Sequence, residues 1–216
     1  LEISIKQILQ KIDDKYLIKK IDDEAGDNGT GRWMLNYGIE LGSPLSMLSS
    51  AMDNRFISRF KTLRKEISEM TKQRSKEYTI DINSLKKAYQ FCKLINFIQA
   101  FCLINASNKK YGWNISISKA LNVWSNGSII KSSQINDLYF NYSVENILSD
   151  KEIIKDLNEY KPDLINVILL ALRNDISIPC FAEALNYFNS ISSNSLSTKM
   201  IQAQRNFFGS HYIKIN

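Results

Sequence analysis

A basic pair lies near the C-terminal end of the chain, where Arg205 and His211, the single histidine, flank Phe207 and Phe208. Arginine carries a permanent charge on a planar guanidinium that suits a phosphate or a carboxylate. Histidine is the residue type whose ordinary side-chain charge changes near neutral pH. The pair is therefore compatible with one half of an anion-binding site. Taken alone, it favours the simpler interpretation of an exposed basic tail.

A second segment with possible chemistry is Gly29-Thr30-Gly31-Arg32-Trp33. Two glycines free the backbone to present N–H groups to a ligand, and the sequence predicts a helix directly after them. Free N–H groups at the start of a helix attract phosphate, and Thr30 adds a hydroxyl donor. Without further information, the pattern is more typical of a glycine turn with a threonine cap.

Helices must position these residues, because helical spacing of apolar residues dominates the chain. The predicted fold class is all-α. One helix, 83–105 with Asn83 as its N-cap, is apolar on nearly every face, so we expect it to be central. Only 78–82 alternates as a strand does. The other predicted helices follow an apolar stripe at 5–12, the region 44–67, and then 116–124, 129–138, 151–160, 162–174, 179–188 and 198–208, with a serine-rich linker at 190–197.

Length and composition indicate one large domain. With 216 residues, 44% of them hydrophobic, the chain can bury a full core. Cys92, Cys102 and Cys180 lie in apolar surroundings without a CxxC pair. This argues against a metal site and a disulfide framework and favours a reducing compartment. The most apolar stretch, 94–104, is far shorter than a membrane span, so we expect no membrane partner.

The net charge of +6 permits an anionic partner. The densest basic run, 55–76, is interrupted by Glu66, Glu69 and periodic apolar residues, a pattern typical of a solvated helix face. We therefore predict no nucleic-acid partner. A basic, all-helical nucleic-acid-binding module is the alternative from another functional class, and steep salt dependence of DNA binding would support it.

Several separated segments, in one order along the chain, resemble the 6-phosphogluconate dehydrogenase family. Separated motifs in a shared order are far more specific than any single motif, and these span most of the chain. The segments are Ala25-Gly26 with Gly29-Thr30-Gly31 and Trp33, Gly112-Trp113, Trp124 with Gly127 and Ile129-Ile130, Pro179-Cys180-Phe181 with Ala184-Leu185, Ile201 to Arg205, and Phe208-Gly209 with His211.

The resemblance implies a large helical domain with a duplicated helical unit over 1–195, and a C-terminal tail over 196–216 that reaches the partner subunit of a homodimer. It also implies NADP as the cofactor, bound mainly by an N-terminal Rossmann domain. No Gly-x-Gly-x-x-Gly occurs in this chain, and the family's catalytic lysine and glutamate have no counterpart in it. Since Leu1 opens inside an apolar pattern, we expect a truncated chain that is inactive alone.

The parent enzyme that the resemblance implies is cytoplasmic and uses no metal. It converts 6-phospho-D-gluconate and NADP to ribulose 5-phosphate, CO2 and NADPH in the pentose phosphate pathway. A related β-hydroxyacid dehydrogenase, whose helical domains share the architecture, is the alternative enzyme. The tail motif disfavours that alternative.

Four substrate-binding residues, and no catalytic residue, follow from the resemblance. Thr30 matches the phosphate-contacting threonine of the family, and Arg55 matches the arginine on the following long helix. Arg205 and His211 match the tail residues that enter the neighbouring subunit's site. A substrate with a phosphate at one end and a carboxylate at the other needs such a group of cations.

One position departs from the family pattern. The family has a lysine just before Gly-Thr-Gly, whereas this chain has Asn28, preceded by Asp27. A phosphate at this loop therefore loses one cation and meets an anion. We expect Arg32, which sits where the family also carries a base, to offset part of the loss.

Overall fold

The computed structural model describes residues 2–71, 78–127, 135, 138, 147–209 and 211–213. These residues form an all-α fold, as predicted, with one short antiparallel hairpin. The helices are α1 (Glu2–Leu9), α2 (Thr30–Glu40), α3 (Ser46–Ser58), α4 (Lys61–Met70), α5 (Ile82–Tyr111), α6 (Ile117–Gly127), α7 (Lys151–Arg173), α8 (Pro179–Ile191) and α9 (Thr198–Gly209). The hairpin pairs β1 (Lys11–Ile12) with β2 (Lys15–Tyr16), and a 3-10 turn follows at Leu17–Lys19.

The central helix is α5, which packs most extensively against α7 and α8. Phe91, Ile95 and Phe101 on α5 are fully buried, as expected for a helix that is apolar on nearly every face. The rings of Phe91 and Phe188 meet edge to face with centroids 5.4 Å apart, which joins α5 to α8. Aromatic pairs in this geometry stabilise a core beyond the area that they bury.

The ends of α5 are set by local chemistry. The Asp81 carboxylate accepts hydrogen bonds from the backbone N–H groups of Asn83 and Ser84 at 3.3 and 3.0 Å, so Asp81, not Asn83, is the N-cap. Gly112 ends the helix with φ of 69°, which favours glycine. The prediction of a strand over 78–82 is wrong, because the segment leads without a strand into α5.

A single helix, α7, replaces the two helices predicted at 151–160 and 162–174. Pro162 lies inside it and is exposed. Proline in a helix interior costs about 3 kcal/mol because it removes a backbone hydrogen bond. Ile153 and Leu157 before it and Leu164 after it are all buried on the same helix. Burying each is worth roughly 1.5–3 kcal/mol, so continuity of the apolar face outweighs the proline.

Two helices, α3 and α4, replace the single helix predicted over 44–67. The break falls at Arg59 and Phe60. The Arg64 guanidinium donates from Nη2 to the Ser58 carbonyl oxygen at 3.1 Å. That contact satisfies a carbonyl at the end of α3, which lowers the cost of ending the helix there.

The start of α3 is fixed by a buried glutamine of α5. The Gln99 Oε1 accepts a hydrogen bond from the Met47 N–H at 3.3 Å, and its Nε2 donates to the Ser46 hydroxyl at 3.1 Å. Gln99 is almost fully buried, so these bonds replace those it would make to water. The central helix therefore holds the helix that carries Arg55.

The N-terminal stripe at 5–12 is not one helix. The helix α1 ends at Leu9, and Ile12 lies in the hairpin instead. Asp13 and Asp14 have φ of 50° and 58°, the left-handed conformation that a tight two-residue hairpin turn needs.

The remaining predicted helices divide into two groups. Those at 116–124, 179–188 and 198–208 are confirmed by α6, α8 and α9, and residues 192–197 link the last two. The helix predicted at 129–138 lies outside the described residues except for Ile135 and Leu138, which are buried. Within the described part of the chain, no helix combines the length and the apolar character needed to cross a membrane.

Candidate anion-binding site

The start of α2 is an open helix end. Gly29 is its N-cap with φ of 86°, a conformation that favours glycine, and no side chain caps the first turn. The backbone N–H groups of such a turn point outward with the positive end of the helix dipole. Thr30, the first helical residue, is exposed. The predicted combination of free N–H groups and a threonine hydroxyl is therefore in place.

The carboxylate of Asp27 organises the turn before α2. Its side chain is only 4% exposed and is paired with Arg59 at 2.7 Å and Arg32 at 3.1 Å. It also accepts a hydrogen bond from the Gly29 N–H at 2.9 Å. The hydrogen bond from Arg59, followed by that from the Gly29 N–H and the charge of Arg32, holds the pKa of Asp27 below its usual range.

Arg55 and its helix hold the same loop from the other side. Its Nη1 donates to the Gly26 carbonyl oxygen at 3.1 Å, although the side chain is exposed. The Ser58 hydroxyl accepts from the Ala25 N–H at 2.9 Å and donates to the Arg55 carbonyl at 2.7 Å. These contacts bring Arg55 and the turn at Gly29 into one cluster through residues 25–29.

Further acids of the loop pair with the base-rich face of α4. Asp23 receives two hydrogen bonds from Arg64, both 2.7 Å long, and Lys61 pairs with Asp22 and, at 3.7 Å, with Glu24. The hydrogen bond from Arg64 lowers the pKa of Asp23, and that from Lys61 lowers the pKa of Asp22. Arg59, Lys61 and Arg64 of the basic run are therefore paired with acids of the same chain.

The tail forms a second, separate cluster. Arg205 and His211 line one open cleft together with Ile201, Gln204, Phe208 and Gly209. A Cβ at position 209 would lie 2.9 Å from His211 Nε2, so the imidazole fills the space that a side chain at position 209 would take. The Gln202 Nε2 donates to the Tyr212 carbonyl at 2.9 Å and ties the extended end to α9.

The tail cluster differs from the loop cluster in its surroundings. Among the described residues, no acid pairs with Arg205 or His211, and no residue of α9 is buried. Phe207, Phe208 and Tyr212 are each 83% exposed. Exposed apolar residues that form a patch are typical of interaction surfaces.

The predicted site residues thus fall into two pairs. Thr30 begins α2 directly after the loop whose Gly26 carbonyl Arg55 bonds, and Arg205 and His211 line the tail cleft. Among the described residues, no hydrogen bond or ion pair joins the two pairs. Asp27 and Arg59 were not predicted as organising residues, and Asp27 was expected to act only as a repulsive anion. The acid-rich run at 22–27 and the basic run at 55–76 indicated that acids and bases could pair. Nothing in the sequence shows which acid pairs with which base.

Comparison with known proteins identifies the family. The model of the family described as 6-phosphogluconate dehydrogenase, C-terminal domain, matches residues 1–216. The chain belongs to this family. Bacterial members of the family are about a third identical to this chain over the aligned part: the decarboxylating 6-phosphogluconate dehydrogenase of Lactococcus lactis is 30% identical over 95% of this chain, and that of Buchnera aphidicola is 33% identical over 91%.

A solved 6-phosphogluconate dehydrogenase has the same fold. The Plasmodium falciparum enzyme, studied in its apo form, with its cofactor NADP+ and with its substrate 6-phosphogluconate, matches the whole chain with a TM-score of 0.90 and 30% identity. The chain spans about half the length of these relatives, namely 46% of the Lactococcus lactis enzyme and 49% of the Plasmodium falciparum chain.

Proposed function

We propose that this chain is the substrate-binding and dimerisation part of an NADP-dependent, decarboxylating 6-phosphogluconate dehydrogenase. The observation that carries the proposal is the family match over residues 1–216. In the proposed reaction the sugar acid is oxidised at C3, the β-keto acid loses CO2, and the enediol is reprotonated to ribulose 5-phosphate. Residues of this chain bind and position the substrate.

The loop before α2 is the proposed phosphate site. The open first turn of α2 offers N–H groups, Thr30 offers a hydroxyl, and Arg55 offers a guanidinium that now bonds only a backbone carbonyl nearby. A charge-assisted hydrogen bond to phosphate is stronger than a bond to a neutral carbonyl. We therefore expect Arg55 to exchange the Gly26 carbonyl for the phosphate when the substrate binds.

The tail, residues 196–216, is proposed to complete the site of a second copy of the chain. Arg205 and His211 lack acidic partners among the described residues, and the aromatic residues beside them are exposed. A homodimer in which tails are exchanged covers these rings and delivers both cations to an anionic substrate. The isologous geometry of a two-fold dimer gives two equivalent sites.

The cofactor is proposed to bind outside this chain. A dinucleotide site of the Rossmann type needs parallel strands and a glycine-rich turn that opens a helix. The described residues contain only the two-residue strands of the hairpin, and the sequence has no Gly-x-Gly-x-x-Gly. The residues present do not fit NADP, so no step of hydride or proton transfer is assigned to them.

Activity assays of two proteins test the proposal. A full-length enzyme that joins this chain to its cofactor-binding part should form NADPH and CO2 from 6-phosphogluconate and NADP, whereas residues 1–216 alone should form neither. In the full-length enzyme, Arg55→Ala should raise KM by roughly 10- to 150-fold, the worth of a charge-assisted hydrogen bond. Turnover by residues 1–216 alone, or a full-length enzyme inert toward 6-phosphogluconate, would contradict the proposal.

A further inference from the structure

Asp27 is the least exposed acid of the loop before α2, and each of its oxygens has a defined partner. Its side chain is 4% exposed, whereas that of Asp23 in the same loop is 64% exposed. One oxygen, Oδ1, meets both the Gly29 N–H and Arg32, and the other, Oδ2, meets Arg59. The nearly buried carboxylate of Asp27 therefore links the Gly29 turn to two specific cations, Arg32 and Arg59.

The bond to Gly29 holds the turn from which α2 starts. The Asp27 Oδ1 accepts the Gly29 N–H at 2.9 Å, two residues ahead, as in an Asx turn. Gly29 then takes φ of 86° and the helix begins at Thr30 with its first turn uncapped. The direction in which these N–H groups point depends on the turn, and therefore on Asp27.

The same carboxylate places Arg32 beside the turn. Arg32 Nη2 lies 3.1 Å from Asp27 Oδ1 and 3.8 Å from where a Cβ on Gly29 would stand. The guanidinium is thus next to the open helix end, and its side chain is still 57% exposed. Arg59 balances the charge of Asp27 from the other side at 2.7 Å. Because Asp27 carries one negative charge and Arg32 and Arg59 carry two positive charges, the group of three is net positive.

We propose that Asp27 is a positioning residue, which sets the Gly29–Thr30 turn and the Arg32 guanidinium in the arrangement that receives the phosphate of the substrate. Arg32 then supplies at position 32 the cation that is lacking at Asn28. The inference rests on the proposed function, since it assigns a phosphate to the start of α2. It reverses the sequence-based expectation that Asp27 weakens phosphate binding.

The test is steady-state kinetics of the full-length enzyme with two ligands. Asp27→Ala should raise KM for 6-phosphogluconate about tenfold, the lower end for loss of a charge-assisted hydrogen bond, and leave kcat nearly unchanged. The inhibition constant of D-gluconate, the same sugar acid without phosphate, should stay constant. Asp27→Asn keeps an oxygen for the Gly29 N–H and should give an intermediate KM.

Controls separate positioning from loop stability and from the proposed function. Asp23→Ala removes the ion pair with Arg64 in the same loop and should leave KM for 6-phosphogluconate within about twofold. Equal losses for 6-phosphogluconate and D-gluconate, an effect of Asp23→Ala as large as that of Asp27→Ala, or a KM that is unchanged or lower in Asp27→Ala would each overturn the inference. Failure of the unmodified enzyme to oxidise 6-phosphogluconate would instead refute the proposed function.

Discussion

In the loop before α2, cations are held by acids of the same chain, whereas in the tail Arg205 and His211 have no acidic partner among the described residues. Asp27 alone engages Arg32 and Arg59, and its carboxylate is nearly buried. The loop site is therefore organised before any ligand arrives, which lowers the ordering cost of binding. In the tail, the hydrogen bond from Gln202 to the Tyr212 carbonyl ties the extended end to α9, and we propose that a second molecule covers the exposed cations and rings.

The largest effect should come from the exposed rings of the tail. Changing Phe207 and Phe208 together to serine should abolish dimerisation at micromolar concentration, since a dimer with two exchanged tails buries four such rings, each worth roughly 2 kcal/mol. Sedimentation over a concentration series measures this change. Helical circular dichroism should persist, because both rings are 83% exposed. As a control, Phe188→Ser, which changes a buried ring of the core, should lose the helical circular dichroism. An unchanged dimer would show that the tail is not part of the interface.

A smaller effect should follow from adding a cation to the loop. Asn28→Lys in the full-length enzyme should lower KM for 6-phosphogluconate about tenfold, because the new ammonium, unlike Arg32 and Arg59, is not paired with Asp27. The change should fall on KM and not on kcat, since the phosphate is remote from the reacting C3.

The control for that prediction adds the same positive charge at another position of α2. Asn36→Lys adds the same charge on the exposed surface of α2, away from its first turn, and should leave KM nearly unaltered. Equal effects of the two substitutions would mean that general attraction of the anion, and not the loop, sets the affinity.

The smallest effect concerns stability at low pH. The pKa of Asp27 is lowered in the folded chain, first by the hydrogen bond from Arg59. A lowered pKa stabilises the fold above the unfolded-state value of about 4, and the gain is lost as pH falls through the folded-state pKa. Urea unfolding should therefore show Asp27→Asn less stable than the unmodified chain at pH 7, with the difference unchanged to about pH 5 and shrinking progressively below pH 4. A constant difference down to pH 3 would exclude the charge as the cause.

The sequence was sufficient for features that are local. The glycines at 29 and 31 predict a helix directly after them, and the helix is there, although it begins at Thr30 with Gly29 as its N-cap. The apolar faces of 83–105 predict a central helix, which is confirmed. The continuity of α7 through Pro162 was missed, because tertiary burial outweighs a local helix breaker. The break between α3 and α4 was missed because the apolar spacing continues across it.

The candidate site was predictable only in part for a related reason. Motifs identified Thr30, Arg55, Arg205 and His211, but the partners of Asp27 lie up to 32 positions away along the chain. Pairing at such separation depends on how α3 packs beside the loop, which no local pattern encodes. The signs of the charges were therefore predictable from the sequence, and their arrangement was not.

The central claim is that the loop acts within its own subunit while the tail acts in the partner's site. It is tested most directly by mixing two full-length variants, Arg55→Ala and Arg205→Ala, and assaying at a 6-phosphogluconate concentration far below KM, where a raised KM leaves each variant only weakly active. A mixed dimer then has one site with both defects and one site with neither. Random reassembly of equal amounts should restore about a quarter of the unmodified activity, since about half of the dimers are mixed and each has one intact site. If the mixture is no more active than the two parents separately, the tail serves its own subunit and the account is wrong.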